Sequence, residues 1–309
     1  MARPCGGRVD RMLRGGRYVF LAAALVPTAL HLAASLSADP LNFAIPALLV
    51  ATCVRCRFDP SVTLTPWRRG LVAVLVVVTG LLKMPYIIFG AALFLIPSRC
   101  FENSRNRRLF IAGSLVLGLA ASAIWNLAFP FVPGSYWGNG ANPSAALALV
   151  FSDPAHVLGI MASTLSHWWL AWSISYYCAI GGGPGFAYFL PMPVEPIAGL
   201  LLALALSDDF GRRDFRQAAI LAAIAASFLF ALLLAFFVGY TRSGAELVEG
   251  MNGRYLFLFY LLAGWAIASV NPLGSRLRVL RAPIFCAVMA MNTAIILAGL
   301  HWFRERWIY

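Results

Sequence analysis

The sequence predicts an all-α integral membrane protein with about nine transmembrane helices, several of them short. Its 309 residues are 61% hydrophobic and only 12% charged, whereas a soluble domain typically carries about 25% charged residues. The mean hydropathy of +0.79 agrees with this composition. Long apolar runs alternate with short arginine-rich connections, as in multispanning membrane proteins. These three observations exclude a soluble domain and predict one polytopic membrane domain over residues 1–309.

Positive charge is concentrated in five clusters that lie on alternate connections. The clusters hold 19 of the 24 basic residues: Arg3, Arg8, Arg11, Arg14, Arg17; Arg55, Arg57, Arg68, Arg69; Arg99, Arg105, Arg107, Arg108; Arg212, Arg213, Arg216; Arg276, Arg278, Arg281. Because basic loops remain cytoplasmic, these connections are predicted to face the cytoplasm. Residues 1–17 then form a basic cytoplasmic leader, residues 131–193 a long periplasmic segment, and the C-terminus is periplasmic.

The net charge of +12 indicates a membrane partner rather than nucleic acid. Nucleic-acid-binding proteins collect basic residues on one face, whereas these arginines lie in short loops beside apolar runs. Anionic membrane lipids are therefore the predicted partner. No cofactor or metal is predicted, because Cys53 and Cys56 form a lone Cys-x-x-Cys pair without a second pair or a nearby histidine. The sequence leaves the oligomeric state open.

A bilayer core of about 30 Å requires roughly 20 helical residues. Five apolar runs are predicted as clear spans: Tyr18–Leu36, Leu109–Phe131, Ala218–Tyr240, Leu256–Val270 and Pro283–Leu300. Four shorter runs cross only if flanking polar residues line an aqueous cleft or the bilayer thins: Leu41–Val54, Leu71–Leu82, Tyr86–Ile96 and Val194–Leu206.

The segment Leu71–Ile96 is predicted to be a helical hairpin rather than one crossing. A single crossing would place the arginine clusters before and after it in opposite compartments. Pro85 lacks a backbone donor and breaks a helix, so the turn is predicted at Lys83-Met84-Pro85. This topology puts Lys83 on the periplasmic side together with Ser37–Pro40 and Thr241–Arg254.

Residues 155–180 are predicted to form an interfacial or re-entrant helix on the outer leaflet. Aromatic side chains with a polar group favour the headgroup region, and this segment contains His167, Trp168, Trp169 and Trp172. A true span is the alternative interpretation. It would place the later arginine clusters in the periplasm, which is why the interfacial arrangement is favoured.

Two cations on the predicted periplasmic side are candidates for binding a lipid phosphate. Lys83 lies at the hairpin apex, and Arg254 precedes a predicted helix, whose N-terminal N–H groups favour anions. A guanidinium also binds phosphate bidentately. The alternatives are a lysine that snorkels to the interface and an arginine anchor paired with Glu246 or Glu249. Asp39 is a third, weaker candidate, either as an acid–base group or as a cap of the second helix.

Four stretches, in this order, resemble the bacterial multispanning family designated domain of unknown function 2142. They are Leu25–Asp39, Leu82-Lys83-Met84-Pro85-Tyr86, Ser152-Asp153-Pro154 and Gly250-Met251-Asn252-Gly253-Arg254-Tyr255. Family members commonly have Lys-Pro-Pro-Tyr at the second stretch and Gly-x-Gln-Gly-Arg-Tyr at the last, so Met84 and Asn252 depart from the pattern. The resemblance covers most of the chain, from about residue 18 to about residue 300.

The resemblance implies similarity to C-type glycosyltransferases, which use a polyprenyl-phosphate-linked sugar on the non-cytoplasmic side. It implies that Lys83 and Arg254 bind the lipid phosphate during assembly of cell-envelope polysaccharide or glycolipid. C-type enzymes carry the catalytic carboxylate in a first outer loop that has no counterpart in this sequence. We therefore expect an N-terminally truncated member, and whether it is an enzyme stays open. The alternatives are a non-enzymatic transporter or flippase component for lipid-linked sugars and a structural membrane subunit.

Overall fold

The computed structural model describes residues 17–34, 39–129, 140–180, 188–189, 213–271 and 278–307, and its fold is helical, as predicted. The α-helices are α1 Arg17–Ala24, α2 Pro27–Ala34, α3 Asp39–Phe58, α4 Pro66–Leu82, α5 Ser104–Ala128, α6 Pro143–Ser152, α7 Pro154–Cys178, α8 Phe215–Gly239, α9 Phe257–Val270 and α10 Arg281–Trp307. The 3-10 helices are Met84–Leu95, Ser98–Cys100, Gly253–Leu256 and Arg278–Leu280. Two short strands, β1 Ala179–Ile180 and β2 Tyr188–Phe189, pair antiparallel.

Four helices in the described ranges are long and apolar enough to cross a bilayer: α3, α5, α8 and the continuous segment Gly253–Val270. A fifth crossing is counted if α6 and α7 form one span, but the two helices are bent by 111° at their junction. That geometry fits a broken span or a re-entrant pair. The nine predicted spans are therefore not confirmed. The predicted span Val194–Leu206 and the leader at residues 1–16 lie outside the described residues.

The first predicted span, Tyr18–Leu36, is wrong as one continuous helix. The chain forms the eight-residue helices α1 and α2, separated at Leu25-Val26. Pro27 begins α2, and a proline ring cannot donate the hydrogen bond that would continue α1. At the break, Asn292 Nδ2 of α10 donates to the Leu25 carbonyl oxygen at 2.9 Å, so a side chain from another helix satisfies an exposed backbone acceptor.

The predicted hairpin is confirmed. α4 ends at Leu82, Lys83 is extended, and a 12-residue 3-10 helix follows over Met84–Leu95. At the open end, the Leu64 N–H donates to the Cys100 carbonyl oxygen at 3.1 Å. A 12-residue 3-10 helix rises about 24 Å and a 17-residue α-helix about 25 Å. The two arms therefore match in length, although the second has fewer residues.

In the part of the chain that the structure describes, the second, third and fourth of the five predicted arginine clusters meet at one end of the bundle, which we call the arginine end. Arg57, at the end of α3, forms an ion pair with Asp214, which precedes α8 (Nε to Oδ2, 2.7 Å). The Asp214 N–H donates to the Ser269 carbonyl oxygen at the end of α9 (2.8 Å). Arg69 pairs with Glu102 across the hairpin base at 2.6 Å. The sequence therefore grouped these connections correctly, while the compartment that they face stays a prediction.

Helices α4 and α5 cross in close contact at two glycines. A Cβ atom on Gly80 would lie 2.7 Å from the Gly118 carbonyl oxygen, and one on Gly118 would lie 2.8 Å from Ile87 Cδ1 and 2.9 Å from Val76 Cγ1. Small residues allow membrane helices to approach this closely. The contact holds the first arm of the hairpin against α5.

We expect Gly118→Ala to destabilise the protein by about 1–3 kcal/mol, the usual cost of overpacking a tight contact. Gly113→Ala is the matched control on α5, because a Cβ there meets nothing within 4 Å. Both substitutions raise helix propensity equally. Thermal unfolding in detergent should therefore show a lower Tm for Gly118→Ala only, and equal Tm values would contradict the close contact.

Candidate functional site

The three candidate residues from the sequence lie together at the end opposite the arginine end. Asp39 is the first residue of α3, Lys83 is the hairpin apex, and Arg254 lies in the 3-10 turn before α9. Lys83 Nζ is 3.9 Å from Asp39 Oδ1, and Arg254 Nη1 is 3.6 Å from Asp39 Oδ2. Three segments distant in sequence thus form one charged site, which we call the Asp39 site.

Tyr255 lies beneath both cations. Lys83 Nζ is 5.1 Å and Arg254 Cζ is 5.0 Å from the centre of its ring, within range of a cation–π interaction. Arg254 Nη2 also donates to the Tyr255 hydroxyl at 3.1 Å. Phe236 packs edge-on against the ring, with centroids 5.0 Å apart. Sequence reasoning missed Tyr255 as a site residue, although its place directly after Arg254 in an ordered motif was an available signal.

The backbone before Arg254 is shaped by Gly250 and Asn252. Gly250 has a φ of +83°, and a Cβ there would lie 3.2 Å from Phe236 and 3.3 Å from Tyr240. Because a positive φ is costly for residues with a side chain, glycine suits this turn. Asn252 Oδ1 accepts a hydrogen bond from the Arg254 N–H at 3.2 Å, which caps the 3-10 turn.

The alternative interpretation, in which Arg254 is an anchor paired with Glu249 or Glu246, is wrong for Glu249. Arg242 takes that carboxylate, with Nη2 2.7 Å from Glu249 Oε1, because both residues lie on the same loop between α8 and α9. Arg254 faces Asp39 instead.

The site retains hydrogen-bond donors beyond its internal contacts. The two ion-pair distances exceed ordinary hydrogen-bond length. Arg254 Nε is buried and has no hydrogen-bond partner in the described part of the chain. The side chains of Lys83 and Arg254 are 40% and 31% exposed. Two cations against one carboxylate leave a positive site that can bind an oxyanion.

Asp39 is held in place by α3. Its side chain is 13% exposed, and Asn42 Nδ2, one turn later, donates to Asp39 Oδ1 at 3.4 Å. A carboxylate in the first turn is stabilised by the helix dipole, so the structure agrees with a structural role at the start of α3. The same position also faces the two cations, so the alternative acid–base role keeps its geometric basis.

The aromatic residues of α7 divide into two groups. His167 and Trp168 are exposed, whereas Trp169 packs on Phe259 (centroids 5.5 Å apart) and Trp172 is only 5% exposed. The first two are free to contact a membrane interface, and the other two join the protein core. The location of all four residues at the outer membrane interface stays a prediction.

Helix α7 also supports the loop that precedes Arg254. Thr164 Oγ1, fully buried in the middle of α7, accepts a hydrogen bond from the Val248 N–H at 2.8 Å. The Thr241 hydroxyl in turn accepts from the Glu249 N–H at 3.1 Å. The loop is therefore tied both to a neighbouring helix and to itself, which restricts where Arg254 can lie.

The ordered motifs that supply this site are those of a known family. A family model described as "Predicted membrane protein (DUF2142)" matches residues 11–263. The chain belongs to this family. Among curated proteins and among solved structures, nothing matches the chain. The DUF2142 match includes Asp39, Lys83 and Arg254 and supports a membrane protein with several apolar helices.

Proposed function

We propose that the Asp39 site binds the phosphate of a polyprenyl-phosphate-linked sugar. The observation that carries the proposal is the convergence of Lys83 and Arg254 on Asp39 from three separate segments. The sequence alone predicts both cations as phosphate ligands, without any information on their proximity. A basic residue that only orients the chain in the membrane gains nothing from sharing the Tyr255 ring with a second cation. A binding site for an anion does gain, because the shared ring helps to fix the positions of the donors.

The chemistry of the donors favours phosphate. Arginine offers a planar fork of N–H groups that fits two phosphate oxygens, and its buried Nε currently has no partner within the described residues. Lysine adds a compact charge with three donors. Asp39 would keep the two cations from repelling each other while the site is empty, and it leaves the net charge positive for a ligand.

The surroundings favour a lipid as the bearer of the phosphate. Met84, beside Lys83 at the apex, is 68% exposed. A polyprenyl chain can cover this apolar side chain while its phosphate reaches the cations, because the site lies at the end of the bundle where headgroups are expected.

The wider proposal is a glycosyltransferase-C-like role in assembly of cell-envelope polysaccharide or glycolipid, at the periplasmic face of the inner membrane. Asp39 is the candidate acid–base residue within reach of the bound headgroup. A transporter of lipid-linked sugars remains the second candidate, because a helical hairpin interrupted at a central cation is also a feature of transporters. Translocation of a labelled lipid-linked sugar across liposomes, without sugar transfer, would favour the transporter.

We expect Lys83→Ala and Arg254→Ala each to weaken binding of a short-chain polyprenyl phosphate roughly tenfold. Each substitution removes a charge-assisted hydrogen bond, which contributes about 1.5–3 kcal/mol. The dissociation constant is measured on purified full-length protein in detergent. The matched control is Arg242→Ala, since Arg242 lies at the same end but is already paired with Glu249.

The ligand series separates the sources of affinity. The corresponding polyprenol should bind much more weakly because it has no phosphate, and inorganic phosphate should bind weakly because it has no chain. Unchanged binding of polyprenyl phosphate in both site variants would overturn the proposal. A loss in Arg242→Ala equal to that in the site variants would show a general charge effect instead.

A further inference from the structure

The arginines of the arginine end fall into two groups. Those of the first group are bound by the protein: Arg57 to Asp214, Arg69 to Glu102, Arg99 to the Cys56 and Arg57 carbonyl oxygens, and Arg107 to the Ile96 carbonyl oxygen. These contacts tie helix ends and connections together. Hydrogen bonds from Arg69 and then Asn106 lower the pKa of Glu102 to about 2, so this carboxylate stays ionised and engaged.

The arginines of the second group have no such partners. Arg105, Arg108, Arg213 and Arg216 are exposed and make no hydrogen bond or ion pair with the residues that the structure describes. Arg216 also lies close enough to Arg107 for the two charges to repel each other. Asp214, which follows Arg213 in the sequence, is already held by Arg57 in a bidentate contact. Among the described residues, these four cations therefore have no carboxylate partner.

Exposed apolar side chains lie directly beside these free cations in sequence. Leu109 follows Arg108 and is 61% exposed, and Phe215 precedes Arg216 and is 71% exposed. Trp67, which is 80% exposed, precedes Arg68, a cation that is not free because its Nη1 donates to the Thr63 carbonyl oxygen at 3.1 Å. A cation paired with an exposed apolar neighbour recurs at the starts of α4, α5 and α8. In each pair, the cation can bind an anionic headgroup and the apolar side chain can contact the acyl chains.

Below these pairs, apolar side chains continue along the outer faces of the helices. On α4, Leu71 and Val74 are 50% and 55% exposed, and on α5 Val116 is 63% exposed. Leu71 lies one turn after Arg68 on the same helical face, Val74 follows Leu71 by a further turn, and Val116 lies about two turns after Arg108. Positive charge at the helix starts lies next to exposed apolar helix faces. A phospholipid has the same order of groups, an anionic headgroup followed by acyl chains.

We propose that the starts of α4, α5 and α8 form a binding surface for an anionic phospholipid, separate from the Asp39 site. Arg105, Arg108 and Arg216 bind the headgroup phosphate, and the apolar faces of α4 and α5 bind the acyl chains. The helix N-termini add to the attraction for phosphate, since α4, α5 and α8 all begin at this end. A lipid rather than a soluble polyanion is indicated, because a soluble anion would leave the exposed apolar neighbours uncovered.

The test uses the full-length protein, delipidated in detergent and incubated with equal amounts of phosphatidylglycerol and phosphatidylcholine. Native mass spectrometry counts the lipids that remain bound. We expect the unmodified protein to retain phosphatidylglycerol at least fivefold over phosphatidylcholine, and the triple variant Arg105→Gln, Arg108→Gln, Arg216→Gln to lose most of that preference. The triple Lys variant at the same positions should keep it, because it keeps the charge.

Further arms separate this surface from other sources of binding. Arg242→Ala should leave the phosphatidylglycerol preference unchanged, because Arg242 lies at the opposite end and is paired with Glu249. Glycerol 3-phosphate should not displace the lipid at equal concentration, because it has no acyl chains. Circular dichroism establishes that the Gln variant is folded. An undiminished preference in the folded Gln variant, or full displacement by glycerol 3-phosphate, would overturn the proposal.

Discussion

Asp214→Ala should lower the free energy of unfolding by about 3–5 kcal/mol, the cost of leaving one member of a buried ion pair alone. The Asp214 side chain is 8% exposed, and Arg57 approaches it with two nitrogens, at 2.7 and 3.2 Å. The same carboxylate caps α8 by accepting from the Gln217 N–H at 3.1 Å. Alanine removes the ion pair and the cap together, so the ends of α3 and α8 lose their link.

The apparent Tm in detergent is the measurement, and a fall of roughly 5–10 °C is expected. Asp214→Asn should lose less, because asparagine caps a helix as well as aspartate does but cannot pair with a guanidinium. Arg213→Ala, at the neighbouring exposed position, should change the Tm very little. If Asp214→Ala and Arg213→Ala gave the same Tm, the ion pair would not be stabilising the bundle.

The charge pattern predicted the large-scale arrangement because it depends only on alternation along the chain. Connections with arginines meet at one end, and the exceptions Lys83 and Arg254 meet at the other. The hairpin followed from the same rule together with Pro85. These inferences needed no knowledge of side-chain packing, which is why a single sequence was sufficient for them.

Features that depend on tertiary contacts were missed. The break at Leu25-Val26 is stabilised by Asn292, which is 267 positions away, and no local pattern shows that partner. The second hairpin arm is a 3-10 helix, so counting residues at α-helical rise underestimated its length. Trp172 belongs to the core, because α7 packs against the turn before α9 rather than presenting all of its aromatic residues outward.

Asp39→Asn should tighten binding of polyprenyl phosphate to the Asp39 site. The substitution removes the negative charge within 4 Å of Lys83 and Arg254 and nearly preserves the shape of the side chain. At a separation on the order of 5 Å, removing one repulsive charge is worth about 1 kcal/mol in water and about 3 kcal/mol at an effective dielectric of about 20. That corresponds to roughly a five- to 150-fold lower Kd. The expected change is opposite in sign to those of Lys83→Ala and Arg254→Ala.

The Asp39→Asn variant also distinguishes a catalytic role of Asp39 from a purely electrostatic one. If Asp39 acts as an acid–base group, Asp39→Asn should lower sugar transfer by about 10²–10⁴-fold while the Kd falls. If Asp39 only offsets the repulsion between the two cations, transfer or translocation should change little once the ligand is saturating. Asn42→Ala is the control, because it removes the 3.4 Å contact to Asp39 without changing the charge, and its Kd should stay close to that of the unmodified protein. A higher Kd in Asp39→Asn would mean that the carboxylate contributes more by positioning the cations than it costs by repelling the phosphate. The electrostatic account of the site would then be wrong.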